Sequence, residues 1–493
     1  MPTLKLVDCV GRASHYFQII GCELLLALTF APPIFTPPIF APQTFATIRP
    51  EFLITNPPTQ GVVVRNPIGA KLNEALMRYE AYGLSGTFLV SKDGQIVLHK
   101  GYGLADRERG VPNTPATLFE MGSITKTFTA AAILRLEMQG KLKTDDLISR
   151  YLGDFPKPKS STTIYHLLAH KSGLIVEGAS LSGDGADRDR FIRDMKDTPA
   201  ESLPGEKYRY TNAGYSVLAA IIEKVSGEPY ESFVRDQLFK PAGLTNTGFR
   251  GDFVNNDARL ARGYLGTPER IEEGPPLAYL WGTRGAGGII STVGDMHKWL
   301  LAEQGDKILS VAAKNKAFAP SPTEQYGWHV QKSSRGTPLL DKGGGQVNFA
   351  THILYFPSEK LAIVYASNNL QQRWRRTLNA VLPKIALGEN YELPPPIINL
   401  EATTLNRYTG SYSAPSRGTF QIRAKEGYLY VTENSLSLPV SVLFFPQSRN
   451  VFTGFDPLNS KVISLRFEMT ADGSVKDLIV GSAAVMLKAN KLR

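Results

Sequence analysis

The chain has 493 residues, 42% of them hydrophobic and 20% charged, the profile of an ordinary globular protein with more than one domain and ample core. Its formal net charge of +10 suits anionic surroundings, but no Lys/Arg run is interleaved with regularly spaced aromatics, so a nucleic-acid partner has no positive feature behind it. Both cysteines, Cys9 and Cys22, lie near the N-terminus, which excludes a disulfide, a thiolate nucleophile and a Cys-based zinc site from the body of the chain.

Residues 1–66 read as an export signal-like segment followed by a linker. The stretch from Phe17 to Phe30 is mostly apolar and follows Lys5 and Arg12. It is shorter than the roughly 20 apolar residues a membrane span needs, and it suits an export signal although Glu23 interrupts it. Ile19-Ile20-Gly21-Cys22 loosely resembles a lipoprotein cleavage site, but the apolar run follows the cysteine instead of preceding it. The Pro-rich run from Ala31 to Pro58 propagates neither helix nor sheet. The expectation is an exported protein, periplasmic or secreted, with membrane or cell-wall proximity left open.

A well-patterned domain occupies residues 67–392. Leu72, Leu76 and Tyr79 share one helical face that Gly83 can stop. Thr87–Val90 and Gln95–Leu98 flank Asp93-Gly94, a strong hairpin signal. A buried helix follows from about Ser123 to Gly140, and further helices are expected at Ile164–His170, Gly214–Val225 and Gly294–Glu303. Ala350–Phe356 and Leu361–Ser367 form a second hairpin, and Arg373-Trp374-Arg375-Arg376 reads as the solvated face of a helix. Strands at both ends with helices between predict an α+β domain whose antiparallel sheet pairs N-terminal with C-terminal strands. A Pro-rich linker at 393–400 precedes a β-rich segment at 401–493, with strands expected at Gly418–Arg423, Tyr428–Thr432 and Val462–Phe467.

Three motifs carry chemistry. In Ser123-Ile124-Thr125-Lys126 the serine and lysine are three apart on a helix, so the amine can reach the hydroxyl and activate it. A lysine buried near other cations loses affinity for its proton, and the helix N-terminus favours an oxyanion. In Tyr210-Thr211-Asn212 a partly ionised phenol could shuttle the proton, while the Asn212 amide could hold Lys126 and substrate together. In Lys342-Gly343-Gly344-Gly345 a glycine-rich edge admits a substrate backbone closely. Taken singly, these stretches also fit a Ser near an N-cap, a tyrosine packed under a loop and a glycine-rich turn.

In this order and spacing the motifs resemble the three signatures of the class C β-lactamase, penicillin-binding-protein, D-aminopeptidase and family VIII esterase group. The blocks Phe119–Ser123, His166–Leu174 and Gly285–Thr292 are similar to recurrent blocks of that family, over roughly Ala70 to Asn369. The resemblance implies a helical subdomain packed on an antiparallel sheet, followed by a small lipocalin-like β-barrel. It implies an acyl-enzyme on Ser123, proton transfer shared by Lys126 and Tyr210, and substrate binding by Asn212, Lys342, Gly343, Gly344 and Gly345. Backbone N–H groups of Ser123 and Gly345 would be the oxyanion donors, and no cofactor or metal is implied. Esterase-like relatives carry His where this chain has Lys342, a cation that suits a carboxylate-bearing peptide or β-lactam; β-lactam-recognising members usually have Thr where it has Gly343. Ester, amide and β-lactam substrates therefore all stay open.

Two other readings compete with this one. His166 and His170 are four apart, yet Leu167 stands where a zinc hydrolase needs Glu, and no third ligand is evident. A catalytically silent or single-turnover sensor would keep the cavity, but all three motifs retain their chemical groups.

Overall fold

The computed structural model describes residues 61–492, apart from residues 175–186, 254–256, 268–269, 274–278, 346–347, 370–372, 416–417, 426, 433–441, 457–460 and 483–484. The expected apolar segment, the Pro-rich run after it, Cys9 and Cys22 lie outside the described residues.

Helix α1 (Asn66–Ala81) starts with Pro67, whose missing N–H costs nothing in a first turn, and buries Leu72, Ala75, Leu76 and Tyr79. Strands β2 (Gly86–Lys92) and β3 (Gln95–Tyr102) follow the short strand β1 (Val63–Val64) and are joined by Asp93-Gly94. Asp93 and Gly94 have φ of +53° and +78°, the left-handed pair that matches the twist of a two-residue hairpin. Late in the chain come β4 (His329–Lys332), β5 (Pro338–Gly345), β6 (Ala350–Phe356) and β7 (Leu361–Ser367). All seven form one antiparallel sheet in the order β1-β3-β2-β7-β6-β5-β4. The two halves of the chain join at β2 and β7, in register from Gly86 opposite Ser367 to Lys92 opposite Leu361, which is the predicted pairing of N- and C-terminal strands.

Both faces of this sheet are covered, so its central strands are apolar on successive residues. Phe88, Val90, Ile363 and Tyr365 pack with α1 and with α6 (Arg373–Ala386). Leu89, Ala362, Val364 and Ala366 face the helical layer, which comprises α2 (Thr125–Met138), α3 (Ile164–Leu168), α4 (Asn212–Ser226) and α5 (Val293–Gln304). The fully buried Trp299 of α5 stacks on Phe128 of α2 at 3.9 Å and donates its indole N–H to Thr127 Oγ1 at 2.8 Å. Helix α2 is therefore held in its first turn, beside Lys126.

The last eight strands, from Gly410–Ala414 to Val485–Lys491, close into a barrel, with Tyr412 opposite Lys491. Its interior is filled by side chains such as Tyr412, Phe420, Leu429, Phe452 and Phe467. From its wall Phe455 packs on Tyr79 and Trp374, and Phe445 on Tyr82. Arg78 and Tyr82 donate to the carbonyls of Pro394 and Pro395, which ties the Pro-rich connection down. The basic cluster is thus not wholly solvated: Trp374 is 2% exposed because it plugs the seam between helix layer and barrel. Among the described residues no helix is long and apolar enough to cross a membrane.

Two histidines, His297 buried and His99 half-buried, brace the other side of the sheet. His297 Nε2 lies 2.9 Å from Ser91 Oγ, and His99 on β3 packs under the first turn of α5. Burial, aided for His99 by the nearby His297, lowers each to about 4. A histidine whose folded value lies below its unfolded value, about 6.5, stabilises fully above that pH and loses its contribution as pH falls toward 4. Urea unfolding should therefore show stability falling by up to ~3 kcal/mol per ring over that window. The double variant His99→Gln/His297→Gln should flatten the slope there; an unchanged slope would rule the pair out as its source.

Candidate active site

A 3₁₀ turn at Gly122–Ile124 runs straight into α2, so Ser123 sits on the helix doorstep and Lys126 one turn inside it. Asn212 is the first residue of α4 and Tyr210 lies two residues before it, next to Arg209, whose N–H donates to the His170 carbonyl at 2.8 Å. The third motif is the end of β5. Strand β4 covers β5 only as far as His329 opposite Asp341, so Lys342 to Gly345 pair with β6 on one side alone among the described strands.

These elements bring the predicted residues to one point. Lys126, fully buried, reaches Ser123 Oγ at 3.0 Å, Asn212 Oδ1 at 2.7 Å and the Ala286 carbonyl at 3.0 Å. Tyr210 OH donates to Ser123 Oγ at 2.6 Å, and its ring lies 4.8 Å from Lys126 Nζ. Burial, and then the charge of Lys342, hold the Lys126 amine well below the ordinary lysine range, with Glu324 opposing in part. In the neutral amine, Asn212 Oδ1 and Ala286 O take the two N–H bonds, which turns the lone pair toward the serine hydroxyl.

Tyr210 presents its hydroxyl to the serine. It is 41% exposed as a residue, yet its hydroxyl is turned inward onto Ser123. Burial of that hydroxyl and the nearby Glu324 charge raise it above the ordinary phenol range, against the Ser123 hydrogen bond. Both effects favour the protonated phenol, the form that donates to Ser123.

Lys342 has a partner as well. Its side chain is 1% exposed and its ammonium donates to Glu324 Oε1 at 2.5 Å, so the cation expected to suit a carboxylate-bearing substrate already has an anionic partner within the protein. Glu324 Oε1 also lies 3.3 Å from His170 Nε2. His170 Nδ1 accepts the Thr211 N–H at 3.2 Å, which leaves the proton of the neutral ring on Nε2 and aimed at Glu324. Burial lowers His170, against the pull of Glu324. Burial alone would raise Glu324, but Lys342 and the His170 hydrogen bond outweigh it and hold the carboxyl well below its usual range.

The two histidines do not form a metal-ligating pair. Helix α3 ends at Leu168, and His170 adopts a left-handed φ of +54°, off the face that carries His166. His166 Nδ1 accepts the Thr163 N–H within a capping box, and among the described residues no group of three or more His, Cys, Asp or Glu side chains could hold a metal. His170 instead stacks under the Tyr210 ring at 4.5 Å.

The strand end and the serine turn fit back to back. A Cβ on Gly344 would lie 2.1 Å from the Met121 carbonyl, and one on Gly122, itself at φ +52°, would lie 2.9 Å from Gly345 N. Thr351 Oγ1 of β6 donates to Met121 O at 2.9 Å and fastens the contact. Gly343 faces the His352 ring and Arg375 Nη1 and offers no hydroxyl. A separate cavity of about 440 Å³, lined by Arg109, Glu120, Arg250, Arg262 and Phe349 among others, contains none of these residues.

Sequence reasoning missed Glu324, the Ala286 carbonyl and Thr351. Glu324 lies in the loop before β4 with no motif spacing to Lys342, so only folding shows that they meet. Ala286 lies within the block Gly285–Thr292, but nothing in that pattern marks its carbonyl as an acceptor.

Known proteins share this architecture. A protein named "Putative penicillin-binding protein PbpX" from Bacillus subtilis is 38% identical over 259 residues, 52% of this chain and 64% of that protein, so the match spans under two thirds of its length. Penicillin-binding protein 4* of the same organism is 27% identical over 403 residues, 76% of this chain and 88% of that one. The octameric penicillin-binding protein homologue from Pyrococcus abyssi superposes with a TM-score of 0.59 at 24% identity, covering 86% of this chain and 100% of that chain, a likeness of fold. The Beta-lactamase family model matches residues 71–385, and the chain belongs to that family of serine hydrolases.

Proposed function

We propose that the protein hydrolyses ester or amide substrates through an acyl-enzyme on Ser123. The observation that carries this is the Lys126 amine, buried and depressed, with its lone pair directed at Ser123 Oγ by two carbonyl acceptors. Lys126 takes the serine proton as Oγ attacks the scissile carbonyl. Tyr210, protonated and 2.6 Å from Oγ, stabilises the forming alkoxide and then passes a proton to the leaving group, recovering one through Lys126. The N–H groups of Ser123 and Gly345 receive the oxyanion at the positive end of α2. Water then cleaves the ester intermediate. Peptidoglycan-type peptides, D-amino-acid derivatives and β-lactams fall within this chemistry, and the penicillin-binding names of two relatives support testing them.

Intact-mass spectrometry after a fluorophosphonate, a p-nitrophenyl ester and a penicillin tests the reading. Wild type should gain a covalent adduct and release nitrophenol well past one equivalent, and Ser123→Ala should do neither. An adduct that survives in Ser123→Ala would remove Ser123 as nucleophile. Release that stops at one equivalent would make the protein a single-turnover sensor.

A further inference from the structure

We propose that Glu324 sets the substrate specificity of this site, holding the Lys342 ammonium in an internal ion pair so that the cleft selects esters or amides with no carboxylate beside the scissile bond. The inference rests on the hydrolase reading above and names its substrate class. Lys342 is the one cation of the three motifs that could recruit an anionic substrate if Lys126 works as a neutral amine. Its Nζ lies 2.5 Å from Glu324 Oε1, with the lysine side chain 1% exposed and the glutamate side chain 15% exposed.

The pair is anchored from the other side. His170 Nε2, 3.3 Å away, gives the same carboxylate oxygen a second donor, and His170 is fixed by the Thr211 N–H on its far nitrogen and by the Tyr210 ring above it. A carboxylate approaching Lys342 would meet the Glu324 charge within the same few ångströms, and like charges at that separation repel. The next position adds no hydroxyl donor, since Gly343 has no side chain and its Cβ direction leads to the His352 ring and Arg375 Nη1 of α6. The local sum is neutral: one ammonium, one carboxylate and one uncharged imidazole. An uncharged group flanking the scissile carbonyl meets no such penalty.

The test is a matched pair of substrates, the benzoylglycyl thioester of thioglycolate and the methyl ester of that same thioester. They share the acyl group and the scissile bond and differ in one carboxylate on the leaving group. Rates of acylation are expressed relative to uncatalysed hydrolysis of each. Wild type should acylate the methyl ester at least as fast as the free acid, and Glu324→Gln should shift the ratio toward the free acid by about 10–100-fold, the scale of one charge-assisted hydrogen bond gained. General disturbance of the site slows both substrates and cancels in the ratio. A wild-type preference for the free acid beyond tenfold would overturn the proposal, as would a Glu324→Gln variant that acylates both with an unchanged ratio. If Glu324→Gln is inactive or unfolded, the wild-type ratio decides alone. Wild type that turns over neither thioester, with Ser123 unlabelled by a fluorophosphonate, would remove the hydrolase reading itself and this inference with it.

Discussion

Lys126→Met should slow acylation of Ser123 by about 10²–10⁴-fold, the usual scale for removing a general base. Methionine fills nearly the same volume, but it leaves Asn212 Oδ1 and the Ala286 carbonyl without the donor they now share. That loss costs about 1–3 kcal/mol of stability for each buried acceptor, so a thermal melt must confirm that the variant is folded before its rate is read. The wild-type pH profile carries the sign. The active form is the neutral amine, so acylation should rise with pH through the depressed value of Lys126 and level off above it. Lys342 lowers that value and Glu324 raises it, so Lys342→Met should move the rising limb to higher pH and Glu324→Gln to lower pH. Second-order labelling by a fluorophosphonate across pH measures both shifts. A Lys126→Met rate within tenfold of wild type would transfer the base role to Tyr210, despite the raised proton affinity of its phenol.

Much of this arrangement was legible from sequence because its periodicities are strong. Asp93-Gly94 demanded a tight hairpin and produced one, and the unbroken burial of Phe88, Leu89 and Val90, which point alternately into two core clusters, reflects a strand covered on both faces. Ser123 and Lys126 meet because three residues on a helix are neighbours, which needs no tertiary information. What stayed hidden depends on long-range contacts. His170 was expected on a helix, but its left-handed backbone lifts it off α3 and under Tyr210. Trp374 looked like part of a solvated basic face, yet the barrel wall supplies Phe455 and Tyr79 supplies the other side of its pocket. The partner of the third motif's lysine stayed hidden for the same reason. Lys342 looks like a free cation until the loop before β4 delivers Glu324, and no local pattern announces that delivery.

Gly344→Ala should lower acylation by about 10²-fold although no reacting atom is touched, the cost expected when a reactive centre is displaced by roughly 1 Å. The added methyl would sit 2.1 Å from Met121 O and 2.3 Å from Thr351 Oγ1, distances that no side chain holds without movement. One neighbour is main chain two residues before Ser123, and the other is the hydroxyl that fastens that main chain to β6. Relief must therefore come by pushing the serine turn away from the strand end, which separates the Ser123 and Gly345 N–H groups that would share the oxyanion. The methyl cannot escape sideways, because β5 at this point is hydrogen-bonded to β6 in register, Gly344 opposite Thr351. Gly251→Ala is the control, since a Cβ there meets nothing within 4 Å and the backbone is not left-handed. Labelling rates and melting temperatures of the two variants, measured side by side, separate displacement of the turn from loss of the fold. Acylation by folded Gly344→Ala within about threefold of wild type would mean that the turn tolerates the shift, and that the oxyanion is held by Ser123 and the α2 terminus without the strand.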